Sequence, residues 1–344
     1  MLKNIEGYKD ASFAKVEQDG VMPIGAYLTT PFVEYVKVDG KFLLPKEHML
    51  LATIVKDDGV RVVEPSKLKA GDEVLIADTY GEETGIYRDS EAFDIEIAET
   101  ISPMFRGSSD VYEKLIENMK EVRSRGGKIA WVLGPAVVFD FDTRNALSEL
   151  VDAGYVDVLL AGNAMATHDL EGGYLNTALG QNIYTQESVP NGHYNHLDLL
   201  NAARHYDSLK DFIASGKVKN GFIKKLVEKN IPIVLCGSIR DDGPLPEVKH
   251  NVSEGLSAMR YALKDADIII TLATLLHSVS AVSVAPSYRE EGGKLLPTKV
   301  YSIDITDYAT NSVVDAREGY MVDAIVTNVQ DFCVNVRNAL VEVK

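Results

Sequence analysis

The chain has 344 residues, 46% of them hydrophobic and 25% charged, the proportions of an ordinary globular protein long enough for two domains. Its 51 acidic residues outnumber 35 basic ones, for a formal net charge of −16 that excludes nucleic acid and anionic membrane surfaces as natural partners, since both would be approached against repulsion. Cys236 and Cys333 lie too far apart to suggest a disulfide framework or a thiolate metal site, and no apolar run reads as a leader or membrane span, so the chain is expected to be cytoplasmic.

Residues up to about Ala98 read as β structure. Val33 to Val38 and Lys41 to Leu44 flank Asp39-Gly40, a hairpin signal, and Ala52 to Val55 with Val60 to Val63 flank a second turn at Asp57-Asp58-Gly59. Leu68 to Ile76 adds a turn and a strand. Short strands at this spacing predict a small barrel-like domain over 1–103, serving as support, as a lid or as a contact between copies of a homo-oligomer.

Near Ser102-Pro103 the pattern changes. Asp110 with Glu113 makes a capping box, and Tyr112, Leu115, Ile116, Met119 and Val122 follow helical spacing as far as Gly126-Gly127. Strands and helices then alternate. Lys128 to Leu133 ends at Gly134-Pro135; Thr143 caps a helix carrying Ala146, Leu147, Leu150 and Val151; Val156 to Gly162 is the next strand. After a long polar loop come a helix through Phe222 and Leu226, a strand over Ile231 to Leu235, a helix over Leu256 to Leu263 and a strand over Ala266 to Ala273. Val300 to Ile303 and Ala324 to Val326 are further strands, and Asn328 caps a final helix through Phe332, Val336 and Leu340. Apolar strands alternating with amphipathic helices predict a Rossmann-like α/β domain over 104–344, a parallel sheet covered on both faces.

In such a sheet ligands bind just beyond the carboxyl ends of the strands. The residues found there are Asn163 and Ala164, then Arg240, Asp241 and Asp242, then Thr274 to His277, Asp304 and Asn328. The triplet Arg240-Asp241-Asp242 follows a core strand and is closed by Gly243-Pro244, which continues neither strand nor helix. A guanidinium there can take an α-carboxylate bidentately and a carboxylate can exchange a proton with an amine. Asp304 suits a ribose hydroxyl, favouring NAD over NADP, and equally suits a helix N-cap. The Gly-x-Gly-x-x-Gly fingerprint is absent; Gly134-Pro135, Gly162-Asn163 and Gly237-Ser238 offer close backbone approach instead.

His193 and His196, with His168-Asp169, have no third ligand at a recognised metal spacing, so no metal is expected. These residues either order a long polar loop or, in the case of His193 and Asn195, contact a polar substrate.

Four segments resemble a known family: Val132 to Val138, Gly154 to Ala164, Gly237 to Pro246, and Leu272 to Ser278. They are similar to the conserved region named for lysine-oxoglutarate reductase/saccharopine dehydrogenase, whose members include archaeal-type ornithine cyclodeaminases and the C-terminal part of cyanobacterial arginine dihydrolase/ornithine cyclodeaminase fusions. The resemblance runs from about Tyr27 to Asn328, and Gly-Ser-Ile-Arg-Asp-Asp-Gly-Pro-Leu-Pro at 237–246 is its most specific string. It implies a β-rich domain followed by a Rossmann-like domain that binds NAD through Asn163, Ala164, Asp241, Ala273, Thr274, Leu275, Leu276, His277, Asp304, Asn328 and Val329. The reaction implied is conversion of ornithine to proline and ammonia with NAD recycled in each turnover. Asp242 or Asp241 would handle protons, while Arg240 or His193 would hold the amino-acid substrate. Where family members carry His-Thr-Gly-Gly this chain has Phe139-Asp140-Phe141-Asp142; it has His193-Tyr194-Asn195-His196 in place of His-Arg-Asn-His, and Asn328 in place of an aspartate. These changes keep two other readings open: an NAD-linked amino-acid dehydrogenase with net redox, and a catalytically silent NAD-binding paralogue.

Overall fold

The period-2 segments of the N-terminal third pair as antiparallel strands: β1 (Ser12–Lys15), β2 (Val33–Val38), β3 (Lys41–Leu43), β4 (Thr53–Lys56), β5 (Val60–Val63), β6 (Glu73–Ile76) and β7 (Ile86–Asp89). Asp39 and Gly40 both adopt positive φ, 50° and 77°, the geometry that lets a two-residue turn join twisted strands β2 and β3. Four strands make one sheet in the order β1-β6-β4-β5, and three make another in the order β3-β2-β7. Val36, Val38 and Ile86 of the second sheet share a buried core with Ile54, Val62 and Leu75 of the first. The expected barrel-like arrangement therefore takes the form, among the described residues, of two antiparallel sheets around one core. The computed structural model describes residues 2, 5–93, 109–238 and 243–341.

The next elements are α1 (Ser109–Ser124), β8 (Ile129–Leu133), α2 (Phe141–Asp152), β9 (Val158–Gly162) and α3 (Asn163–Leu175). A small hairpin, β10 (Thr177–Ala178) with β11 (Gln181–Asn182), leads to α4 (Asn195–Ala203), α5 (Leu209–Ala214), α6 (Phe222–Glu228), β12 (Ile233–Cys236), α7 (Val252–Leu263), β13 (Ile268–Leu272) and α8 (Leu275–Val284). The capping box at Asp110 is displaced: α1 already starts at Ser109, and Asp110 lies in its first turn. The cap of α2 is Asp140, whose carboxylate accepts from the amide and hydroxyl of Thr143; an aspartate reaching the N3 amide outcompetes the threonine already inside the helix. The stretch read as a long polar loop after β9 holds α3, α4 and α5. Helix α3 has no polar stripe to betray it, because nearly every side is buried, including polar Asn163, Thr167, His168, Asp169 and Glu171.

The chain continues through hairpin β14 (Tyr288–Glu291) and β15 (Lys294–Pro297), then β16 (Lys299–Asp304), α9 (Asp307–Asp315), β17 (Val322–Val326) and α10 (Val329–Leu340). Six strands form one parallel sheet in the order β12-β9-β8-β13-β16-β17. Numbered by appearance this is 3-2-1-4-5-6, the doubly wound order of a dinucleotide-binding domain. The central strands β8, β9 and β13 are apolar and buried almost throughout, as a sheet with both faces covered requires, and the edge strand β12 is half-buried.

Residue contacts divide the chain into two units: 1–97 with 283–298 and 317–321, and 98–282 with 299–316 and 322–344. The first unit thus recruits β14, β15 and the turn at Arg317 from late in the chain. Arg317 is fully buried there and donates to the Ser287 hydroxyl at 2.9 Å. His48 accepts the Ser287 amide on Nδ1 at 3.1 Å, lies 3.2 Å from the Thr30 carbonyl through Nε2, and stacks on Tyr288. Burial, opposed by the Thr30 carbonyl and aided by the Arg317 guanidinium, pushes the His48 pKa down to about 3.

The folded chain keeps His48 neutral where the unfolded chain, below about pH 6.5, binds a proton. Stability is therefore lost as pH falls through that window, by about 1.4 kcal/mol per pH unit for this one group. Burial raises the Glu34 carboxyl, which acts in the opposite sense, so the test is a difference. Urea unfolding of wild type and His48→Gln should show the wild type losing ground steadily from about pH 6.5 downward and a constant gap above it. A gap independent of pH would show that His48 binds protons in the fold as it does in the unfolded chain.

Candidate active site

The sheet winds one way from β8 through β9 to β12 and the other way from β13 through β16 to β17, so the loops leaving β8 and β13 part company at the carboxyl edge. Gly134, first after β8, donates its amide to the Leu272 carbonyl at 2.8 Å. A Cβ at Gly134 would lie 1.8 Å from the Ala273 carbonyl oxygen, so this approach is open to glycine alone. Ala273 turns the chain from β13 into α8 with φ of 58°, a left-handed conformation that L-residues seldom adopt and that clusters at functional sites. His277, on α8, reaches to the end of β9, where a Cβ on Gly162 would fall 2.8 Å from its ring.

Strand β9 passes directly into α3, with Gly162 as the N-cap residue and no side-chain cap. Ala164 is exposed on the first turn, whose backbone N–H groups have no intrahelical partner. Asn163 is buried; its Nδ2 donates to the Gly243 carbonyl at 3.1 Å and its Oδ1 accepts from the Leu245 amide at 2.9 Å. Asn163 thereby holds the chain that follows Arg240, Asp241 and Asp242, three residues that lie outside the described ones. Gly243 has φ of 136°, and a Cβ there would fall on the Arg204 guanidinium at the end of α4.

Asp304 ends β16, where its Oδ1 accepts from the amide and hydroxyl of Thr306 at 3.0 and 3.1 Å. The N-cap of α9 is Thr306, which leaves Asp304 as a strand-end carboxylate and removes the capping alternative. Asn328 caps α10, with Oδ1 accepting from Gln330 and Asp331 amides. Val329, the first residue of α10, is buried in the core of the sheet's helical layer. Thr274 and Leu275 are half-buried at the start of α8, and Leu276 is 77% exposed. Glycine at the switch point, an uncapped helix start at Ala164 and a carboxylate at Asp304 together fit a dinucleotide: close backbone approach, amides for a pyrophosphate, an acceptor for a ribose.

A second group of polar residues joins His168, Asn195 and His196, which the sequence singled out, to Glu171 and Thr177, which it did not. The Glu171 carboxylate, fully buried on α3, accepts from the Thr177 hydroxyl at 2.7 Å and lies 2.9 Å from His168 Nδ1. Thr177 in turn accepts from Asn195 Nδ2 at 2.8 Å. Phe139 meets the His168 ring edge-on at 5.8 Å between centroids, and the His196 ring is 6.2 Å away. Asn195 therefore serves this network, whereas His193 is exposed and packs on Tyr194. Spacing could have found one piece of it: Ala164, His168 and Glu171 at i, i+4 and i+7 share a helical face. At the end of β12, burial raises the thiol pKa of half-buried Cys236.

Residues 113–336 match the family model described as arginine dihydrolase ArgZ-like, C-terminal, Rossmann fold. An ornithine cyclodeaminase from Archaeoglobus fulgidus is 32% identical over 333 residues, covering 94% of this chain and 77% of that one. A crystal structure of a conserved LOR/SDH protein from Methanococcus maripaludis superposes with a TM-score of 0.83 at 31% identity, over 96% of this chain and 98% of that one. The ternary complex of AgrE with ornithine and NAD+, AgrE being a bifunctional arginine dihydrolase/ornithine cyclodeaminase of Nostoc sp., superposes with a TM-score of 0.61 at 27% identity over 97% of this chain and 46% of AgrE.

Asn163→Ala orphans the Leu245 amide and frees the segment after Asp242, at a cost of about 1–3 kcal/mol in stability. Calorimetric titration should show NAD affinity falling about tenfold, equivalent to about 1.4 kcal/mol. Wild-type affinity in this variant would separate Asn163 from the cofactor site.

Proposed function

The chain belongs to the ArgZ-like C-terminal Rossmann family, and on that premise we propose that it is an NAD-dependent ornithine cyclodeaminase, converting ornithine to proline and ammonia. The observation that carries the reading is the switch point itself: Gly134 and Ala273 in backbone contact, flanked by Asn163 and Asp304, on the sheet order of a dinucleotide domain. The solved complex of a relative with ornithine and NAD+ supports both ligands.

When bound, NAD supplies a hydride acceptor for the substrate α-carbon and later returns that hydride, so the difficult chemistry is the cofactor's. The chain's part is orientation and proton transfer. Asp304 would take the ribose, the first turn of α3 would take the phosphates, and Ala273 to His277 would lie against the cofactor. His277, set against Gly162, limits the space above β8 and β9 and keeps water from it. Arg240 holds the substrate carboxylate, and Asp241 or Asp242 exchanges protons with its amines, the roles that the family resemblance gives them. The reading also carries a cytoplasmic location, supported by two cysteines that form no disulfide, and a homo-oligomer, for which light scattering should return a multiple of the 37.7 kDa chain mass.

Incubation of the purified protein with NAD and ornithine should yield proline and ammonia by mass spectrometry without net NADH absorbance. Accumulating NADH with a keto acid would make the protein an amino-acid dehydrogenase instead, and NAD binding without turnover of ornithine would remove the substrate assignment.

A further inference from the structure

Cyclisation of ornithine needs a group that moves a proton between two nitrogens of the same substrate, and among the described residues one imidazole is built for it. We propose that His168, held by Glu171, is that group, an inference that rests on the cyclodeaminase reading. Helix α3 starts at the carboxyl edge, with Ala164 exposed on its first turn; His168 lies one turn further along the same face and is 8% exposed, and Glu171, another turn on, is 0% exposed. The face therefore descends from the open edge to a buried carboxylate with an imidazole between them.

Glu171 has both oxygens engaged, one by the Thr177 hydroxyl and one by His168 Nδ1. A buried carboxylate on Nδ1 fixes the tautomer, so that Nε2 carries the lone pair and acts as the base. The rest of the His168 surroundings are the Phe139 edge and the His196 ring, with Asn195 closing the network behind Thr177. Phe139 lies five residues beyond Gly134, on the loop that leaves the switch point, which brings this histidine to the β8 and β9 side of the dinucleotide site.

After hydride has left the α-carbon, that carbon is an iminium. The neutral δ-nitrogen attacks it, forming the ring C–N bond and becoming a protonated secondary amine. His168 Nε2 takes one proton from the ring nitrogen and gives it to the α-nitrogen; the C–N bond to the α-nitrogen breaks and ammonia leaves. The histidine ends as it began, and the ring iminium awaits the returning hydride. Glu171 is a positioning residue, acting only through the imidazole.

The test uses the full chain with NAD, wild type beside His168→Gln and Glu171→Gln. Calorimetry should show NAD affinity in His168→Gln within about twofold of wild type, because His168 touches substrate alone. Proline formation should fall by at least about a hundredfold, the usual worth of a positioned proton-transfer group. In a single turnover with ornithine, the variant should build up the NADH band toward one equivalent per site and hold it, since hydride leaves and cannot return; the wild type shows no lasting band. Glu171→Gln, nearly the same shape, should lose about tenfold in proline formation with unchanged NAD affinity, and it decides the matter if His168→Gln fails to fold. Proline formation within about threefold of wild type in either variant overturns the proposal. Loss of NAD affinity by a folded His168→Gln overturns it too, making the residue structural, and so does a variant that yields neither proline nor an NADH band. If the wild type itself makes no proline, the cyclodeaminase reading fails and the proposal with it, a result distinct from all those in which wild type is active.

Discussion

The geometry of the site depends on one buried ion pair. Arg144 of α2 donates Nε to Asp169 Oδ1 at 2.8 Å, with both side chains almost fully excluded from solvent. Two charges taken out of water cost several kcal/mol each, a loss offset only when the remaining donors and acceptors are also filled. Here they are: the guanidinium also reaches the Asp169 carbonyl and Asn220 Oδ1, and Asp169 accepts the Phe222 and Ile223 amides that open α6. Space for the guanidinium comes from missing side chains. A Cβ on Gly172 would lie 2.9 Å from Arg144 Cζ, and one on Gly221 would lie 2.5 Å from its terminal nitrogen. The pair clamps α2, α3 and α6 together and sets the rotation of α3 about its axis. With Asp169 turned toward α6, the preceding residue His168 must face another side, where Phe139 and α4 lie.

The same clamp explains what the chain hid. Alternation and helical periodicity located the six parallel strands and five helices, α1, α2, α6, α7 and α10, because those elements have one wet face or sit as short apolar runs between turns. Helix α3 has neither property. Wedged among α2, α4, α6 and the sheet, it buries Asn163, Thr167, Asp169 and Glu171 as fully as Leu170, and so it reads as a polar loop. Strand-end residues could be named from topology, and Asn163, Ala164, Ala273 and Asp304 do lie along the carboxyl edge. The Glu171 network could not, since its members come from α3, β10 and α4 and meet only once that loop is a helix.

Absence of the Gly-x-Gly-x-x-Gly fingerprint also has a physical cause. That pattern serves a strand followed immediately by a helix whose first turn touches a pyrophosphate. In this chain β8 is followed by a short 3-10 turn over Pro135–Val138, and the strand that runs without a break into a long helix is β9. The glycines needed for close approach are therefore spread over Gly134 and Gly162, each opposed by something from α8 or its lead-in: the Ala273 carbonyl in one case, the His277 ring in the other. The constraint on backbone distance is kept while its linear spacing is lost.

The departures from the family pattern are absorbed in the same local way. Asp140 spends both carboxylate oxygens on Thr143 as the cap of α2, and Asp142 is exposed in the first turn, where a negative charge suits the helix dipole. Neither adds a carboxylate to the site. Tyr194 packs on His193 at the exposed start of α4, while the half-buried Asn195 donates to the buried Thr177. Asn328 accepts two amides at the head of α10, a task that its Oδ1 performs as an aspartate oxygen would. Phe139 alone meets the polar network, and it does so as a ring edge against His168, which excludes water from the imidazole without competing for its nitrogens. Substitutions that change charge in the sequence are thus taken up, at Asp140, Asp142 and Asn328, by helix starts.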